Sequence, residues 1–402
     1  MPYDDIIIGS GLSALGVALG LRGKGRRILV VAGAESGFRH YPAANVPASR
    51  GGRGGMGSHW HGVIPLGLRH RPEGFEADHW TRLAQHFYPG AGLGTRIGDE
   101  QYFVPRRPIR PAEHFARLLS EGAVEIVDDD AVRLDVAEGD APHRVQTGDR
   151  DVAGRQLWLC AGALGTPGLL ARSGLIAGGA RTVSDHVIGY AGRLAASDES
   201  RAMMATVRRD SEGVFFPFRF GGDGDHFFTL RPARFDFAPL DAGIAKRAIF
   251  GLPANRVVSG LAGHMSPGLI AEALYNKLGL FPQASRYSVY FQTVVSDAYS
   301  LDEGGRLLPN PGQAVGSAIE RARADVPFAG VEPSRQPELY IPGIHLHGSL
   351  TREECERFGP GRQFNSLHVA DASALRDIGP EHHSFAMMAT AFGRAVAAAN
   401  QD

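Results

Sequence analysis

Lysine and cysteine are nearly missing from this chain. Of 402 residues only Lys24, Lys246 and Lys277 are lysines, and only Cys160 and Cys355 are cysteines. Two cysteines build no disulfide framework, and Cys160, inside the apolar run Leu157-Trp158-Leu159-Cys160-Ala161, reads as core. An excess charge is missing too. The 42 Lys+Arg face 43 Asp+Glu, a net charge of -1, which argues against nucleic acid or an anionic membrane as partner. The cations are almost all arginine, which we read as a compositional bias rather than a set of phosphate clamps. No run of about 18 apolar residues suggests a membrane-spanning helix. Asp4 and Asp5 ahead of the first apolar run are unlike a secretory leader, so a cytoplasmic protein is expected. Glycine is plentiful instead: 53 residues, well above the usual ~7%. With 43% hydrophobic and 21% charged residues, the chain has the material for two or three domains at roughly 150 residues each.

The first thirty residues spell a phosphate-binding βαβ unit. Ile6-Ile7-Ile8 predicts a buried parallel strand. Gly9-Ser10-Gly11-Leu12-Ser13-Ala14 follows with G-x-G-x-x-A spacing, then an apolar helix over Leu15 to Arg22 and a second strand at Ile28 to Val31. Gly9 allows the tight turn, Gly11 lets backbone approach a pyrophosphate, and Ala14 permits close helix–strand packing, with Leu12 and Ser13 at the positive helix end. One piece is absent. The acid that bonds the adenosine ribose should close the second strand, but Ala32 stands there, with Glu35 the nearest substitute.

Residues 51 to 67 read GGRGGMGSHWHGVIPLG. No regular helix or strand tolerates so many glycines, and without a Lys-Ser/Thr ending the stretch is not a P-loop; it suits backbone lying against a flat ring. Gly54-Gly55-Met56-Gly57-Ser58-His59-Trp60 resembles the glucose-methanol-choline (GMC) flavoprotein oxidoreductases, and within them the pyranose 2-oxidases. The resemblance implies FAD as cofactor, with Gly55, Met56, Ser58, His59, Trp60 and His61 along the ring. His59 matches the family's covalently flavinylated histidine, which leaves covalent and non-covalent attachment both open. His61 departs from the pattern. Trp158 to Pro167 is similar to the family's strand before "Ala-Gly-Ala-Leu-Gly-Ser-Pro", which places Ala161 and Gly162 by the cofactor, ahead of a helix at Pro167 to Arg172. A helix at Pro111 to Glu121, a strand at Val124 to Val127, and a small hairpin (Val132 to Val136, then a turn at Asp151 to Ala153) complete this half.

The last block, residues 367 to 396, reads LHVADASALRDIGPEHHSFAMMATAFGRAV. It resembles the family's closing strand, Asp-Ala-Ser turn, loop and helix. That implies cofactor contacts for Asp371, Ala372, His383 and Ser384, and a catalytic role for His382, with a one-residue slip to His383 left open. Upstream, His345-Leu346-His347-Gly348-Ser349 fits the family's other catalytic histidine at His345. An imidazole takes a hydroxyl proton near neutral pH, and a second one holds the oxygen. No metal is expected, because neither His-Glu-x-x-His nor paired Cys spacing occurs.

The resemblance implies a mixed α/β and α+β fold: a Rossmann-type FAD-binding domain (residues 1–70, 108–184 and 340–402) and a small antiparallel-sheet substrate domain with covering loops (71–107 and 185–339). The aromatic runs at Val214 to Phe218, His226 to Leu230 and Tyr287 to Gln292 predict strands. Ser266 to Leu278 reads as a helix and Arg321 to Pro337 as a loop. Relatives are longer, which implies reduced covering loops and an open site. The implied activity is oxidation of an alcohol, foremost a secondary hydroxyl of a sugar or glycoside, with oxygen or another electron acceptor. A flavin-bound lyase or isomerase, or a degenerate flavoprotein acting as a binding partner, are the alternatives. A homo-oligomer is left open.

Overall fold

The strand Tyr3–Ile8 is buried from Asp5 onward and pairs in parallel with Ile28–Val31 on one side and Asp151–Leu159 on the other. This is the expected nucleotide-binding core, and the computed structural model describes it within residues 1–34, 37–42, 47–60, 62–137, 141–232, 284–303, 305–310, 315–334 and 340–400. Glu125–Val127 extends the sheet in parallel beyond Ile28–Val31, and Leu367–Val369 joins Asp151–Leu159. The outer strands His143–Thr147 and Ala131–Asp135 are antiparallel. Asp5 is fully buried within the sheet. Its carboxylate accepts from Arg26 Nε at 2.5 Å and Trp158 Nε1 at 2.9 Å, the pairing that a buried charge requires.

The first helix, Leu12–Leu21, is apolar on all sides, with nine of its ten residues buried. It lies between the sheet and the C-terminal helix Ser384–Ala399. Two glycines set that contact. A Cβ on Gly16 would fall 2.4 Å from the Met388 carbonyl oxygen, and one on Gly20 2.6 Å from that of Phe392. The helix Ala77–Phe87 packs on the same core through Trp80, whose ring meets Phe385 edge-on at 5.4 Å.

A second, antiparallel sheet is built on a long central pair, Arg181–Ala195 with Arg286–Leu301. Arg219–Gly221 and His226–Pro232 flank one side; Val331–Pro333 and Tyr340–Pro342 pair on the other. Its core is aromatic, with Phe218, Phe228, Tyr287 and Phe291 fully buried. A smaller sheet holds Gly213–Pro217 against Gln101–Pro105. The molecule is thus a mixed α/β fold, a largely parallel sheet beside a separate antiparallel one.

Three local expectations change. The helix expected from Pro167 begins at Gly162 and contains Pro167, because the Asp371 carboxylate accepts from Gly162 N and so fixes an earlier start. The Asp151 to Ala153 stretch is strand, not turn; the turn lies just before it, where Thr147 N donates to Arg150 O. The loop expected from Arg321 opens inside the helix Val315–Ala324, whose Ala318, Ile319 and Ala322 are buried, and Val331–Pro333 is a strand. The helix expected at 266–278 lies outside the described residues, as do Glu35 and His61.

Candidate active site

One cavity of about 1340 Å³ runs from the Gly9–Gly11 turn to a cluster of histidines. The turn is forced. Gly9 has φ +107, and a Cβ there would fall 2.2 Å from the Cys160 carbonyl oxygen. At Gly11 the same construction meets nothing within 4 Å, so backbone is bare toward the cavity at a helix start, a place that suits an anion. Ser10 ties this loop to the Gly-rich segment: its Oγ accepts from Gly54 N at 3.0 Å. Leu12, Ser13, Gly55, Met56, His59, Trp60, Ala161, Gly162, Asp371, Ala372, His383 and Ser384 line the same cavity, together with Gly9, Gly11, His345 and His382. Ala14 does not. It is fully buried within the core beneath the loop, where a small side chain is needed. Nor does Ser58, which turns back toward Gly54, where a Cβ would stand 2.2 Å from its Oγ.

Asp371 welds two of the blocks together. One oxygen accepts from Gly162 N at 2.8 Å and Thr166 Oγ1 at 2.5 Å, the other from Ser373 N at 2.9 Å and Ser373 Oγ at 2.6 Å. Burial pushes its pKa up, and these hydrogen bonds pull it down.

Beside the place where an acid is missing after the second strand stands an acid that follows the neighbouring strand Glu125–Val127. Val31 pairs with Val127, so the loops following these strands run side by side. The Asp130 carboxylate accepts from Ala34 N at 3.1 Å and lines the cavity beside Ala32 and Gly33. Only a hint of this is in the sequence, the run Asp128-Asp129-Asp130 after a strand.

At the far end the rings of His345 and His382 stand 5.1 Å apart. His382 also meets Phe227 edge-on at 5.9 Å. His186, which no motif marked, is fully buried beneath them, 5.0 Å from the His345 ring, 5.5 Å from His347 and 5.8 Å from His383. The Nε2 atoms of His186 and His383 both reach the Gly379 carbonyl oxygen, at 2.8 and 2.9 Å. A carbonyl only accepts, so both rings carry their proton on Nε2. Their Nδ1 atoms are buried without a partner among the described residues. Burial, then the neighbouring rings, holds the His186 pKa well below its ordinary value; burial lowers His383 to about 3 and His347 to about 4. These three stay neutral, so no fixed positive charge crowds His345 and His382.

His345 follows a strained residue. Ile344 is β-branched yet has φ +61, a conformation that persists only when its surroundings impose it. Asp185 does so. Fully buried, it accepts from His345 N and His186 N, each at 2.8 Å, through one oxygen, and from Tyr41 Oη at 2.8 Å through the other. Burial first, then the Asp185 charge, pushes the Tyr299 and Tyr340 phenols up. The loop bearing His382 is fastened likewise. Gln292 Nε2 donates to Pro380 O at 2.5 Å, and the buried Glu381 accepts from Arg69 N at 2.8 Å and His70 N at 3.3 Å.

His59 ends a short 3-10 turn, its ring 5.4 Å from Phe38. Burial lowers its pKa, and Arg50 and Arg110 lower it further. Among the described residues no three His, Cys, Asp or Glu side chains are placed to hold a metal ion, and no helix is long and apolar enough to cross a membrane.

The structure superposes on the crystal structure of pyridoxine 4-oxidase from Mesorbium loti with a TM-score of 0.54 and 17% sequence identity, over 98% of this chain and 98% of that one. On a fungal aryl-alcohol oxidase the TM-score is 0.52 with 14% identity, over 100% of both chains. At these identities the likeness is one of fold. No protein-family model and no curated protein matches the sequence.

Proposed function

We propose that the protein is a FAD-dependent oxidoreductase of the GMC family that converts an alcohol to a carbonyl. The observation that carries this reading is a single cavity with a bare glycine turn at a helix start and, at its other end, two facing imidazoles. The printed activities of the two structural neighbours, both oxidases and one acting on alcohols by name, support it. Gly9, Gly11, Leu12 and Ser13 would hold the pyrophosphate, Asp130 the adenosine ribose, and the backbone of Gly162 and Ser384 the flavin portion. FAD, when bound, supplies the hydride acceptor. His345 takes the hydroxyl proton, and His382 holds the substrate oxygen so that the carbon stays oriented. The Gly-Gly-Met segment, similar to that of pyranose 2-oxidases, supports a sugar or glycoside hydroxyl as substrate and covalent attachment through His59. Oxygen serves as the electron acceptor, with another carrier as the alternative.

The test begins with colour. Purified protein, as isolated or after incubation with FAD, should show flavin absorption bands; a protein that stays colourless and cannot be reconstituted contradicts the reading. Acid precipitation then decides on His59: yellow remaining on the pellet supports the covalent bond, and flavin released to the supernatant refutes it.

A further inference from the structure

Arg231 stands in the strand His226–Pro232 and lines the cavity. On a strand alternate residues share a face, so Phe227, Thr229 and Arg231 look the same way, and Phe227 is the residue that meets His382. The guanidinium carbon lies 4.4 Å from the centre of the Phe216 ring and 5.8 Å from that of Tyr102. Tyr102 itself packs 5.9 Å from Phe227. Arg231 is therefore linked to the His345–His382 pair through two rings, Tyr102 and Phe227, on the wall of the same cavity.

Among the described residues no carboxylate pairs with the half-buried Arg231, whose contacts are the two rings and the Tyr102 hydroxyl. Of the four acids lining the cavity, Asp371 is engaged with Gly162, Thr166 and Ser373, Asp130 with Ala34, and Asp302 with Arg306 N, while Glu303 is exposed. A half-buried cation without a counter-charge is costly. Stacking on aromatic faces offsets part of that cost, and a guanidinium has five N–H donors, more than the Tyr102 hydroxyl can use, in a fork that binds carboxylate or phosphate. The pyrophosphate of a dinucleotide belongs to the Gly9–Gly11 end, so a cation on this aromatic wall calls for a second anion.

We infer that Arg231 is a specificity-determining residue, and that the substrate is an alcohol carrying an anionic group, a carboxylate or a phosphate, on the side away from the reacting hydroxyl. This rests on the alcohol-oxidation reading and narrows it: among sugars it favours acids and phosphate esters over neutral ones.

The experiment is calorimetric titration of the FAD-loaded protein with benzoate against benzamide, and with phenyl phosphate against phenol. The wild type should bind at least one of the anions about tenfold or more tightly than its neutral partner, as expected for a charge-assisted fork. Which anion wins separates a carboxylate from a phosphate substrate. Arg231→Met should abolish the preference, and Arg231→Lys should keep part of it; Arg231→Gln replaces the Met variant if the latter does not fold. Equal binding of anion and neutral partner by the wild type, or a preference that survives in Arg231→Met, overturns the inference. Binding is read without turnover. An anion preference in a protein whose flavin no alcohol reduces would therefore contradict the oxidation reading alone, and reduction without anion preference would contradict this inference alone.

Discussion

At the scale of single residues, the site is a set of neutral imidazoles around two working ones, and acid should undo it. His186, His347 and His383 are held neutral by burial, with folded pKa values below the unfolded 6.5. The unfolded chain therefore binds more protons than the folded one as pH falls. Their contribution is intact above pH 6.5 and is lost on acidification toward the folded values. His347 and His383 each cost about 2 kcal/mol between pH 6.5 and 5. Denaturant midpoints across that range should fall steeply, and His383→Asn should flatten the slope; a midpoint independent of pH would contradict the buried cluster. Asp130 makes a second residue-scale prediction. Asp130→Asn should weaken FAD binding about tenfold, the value of one hydrogen bond to a charged group, and adding Ala32→Glu should restore it. Unchanged affinity in Asp130→Asn would remove its role at the ribose. The sequence showed the gap at Ala32 but not its replacement, because Asp130 arrives through strand register (Val31 beside Val127) rather than through spacing along the chain. His186 and Asp185 were illegible for the same reason. Neither sits in a motif, and both gain their meaning from the loops at 343–347 and 379–383 that fold onto them. The histidines at 345 and 382 were legible because each lies in a recognisable segment.

Among the elements, the first and last helices carry the phosphate turn and the His382–Ser384 loop, and their separation is set by Gly16 and Gly20. Gly16→Leu should force the helices apart against the Met388 carbonyl, lowering stability by about 1–3 kcal/mol as overpacking does, and it should weaken FAD binding as well. Gly23→Ala, at an open position where a Cβ meets nothing within 4 Å, costs only the strain of its φ of +78 and should leave FAD binding unchanged. Thermal midpoints and flavin content of the two variants check this; equal flavin content in both would contradict the coupling of helix packing to the site. Strands, helices and turn order in the nucleotide half were readable because its β-branched runs, glycine turns and apolar helices are local signals. The early start at Gly162 was not, since a carboxylate two hundred residues away fixes it.

For the whole molecule, two sheets with separate cores meet along one cavity, and each lines a part of it: the parallel sheet through the glycine turn, the antiparallel sheet through His186 and Arg231. The aromatic strands of the second sheet were legible as strands. Their side toward the cavity was not, because which face of a strand is buried depends on what packs against it. The arginine excess, read from composition as bias alone, includes at least one side chain, Arg231, on the wall of the cavity. The most direct test of alcohol oxidation is flavin absorbance at about 450 nm under exclusion of air, on mixing with a panel of neutral and anionic alcohols and sugars. The account predicts bleaching by at least one of them and recovery of colour on admitting oxygen or an added acceptor. It also predicts that His345→Ala and His382→Ala bind FAD normally but bleach about a hundredfold or more slowly, the usual effect of removing a general base. Flavin that no alcohol bleaches, or bleaching at the wild-type rate in both variants, would contradict it.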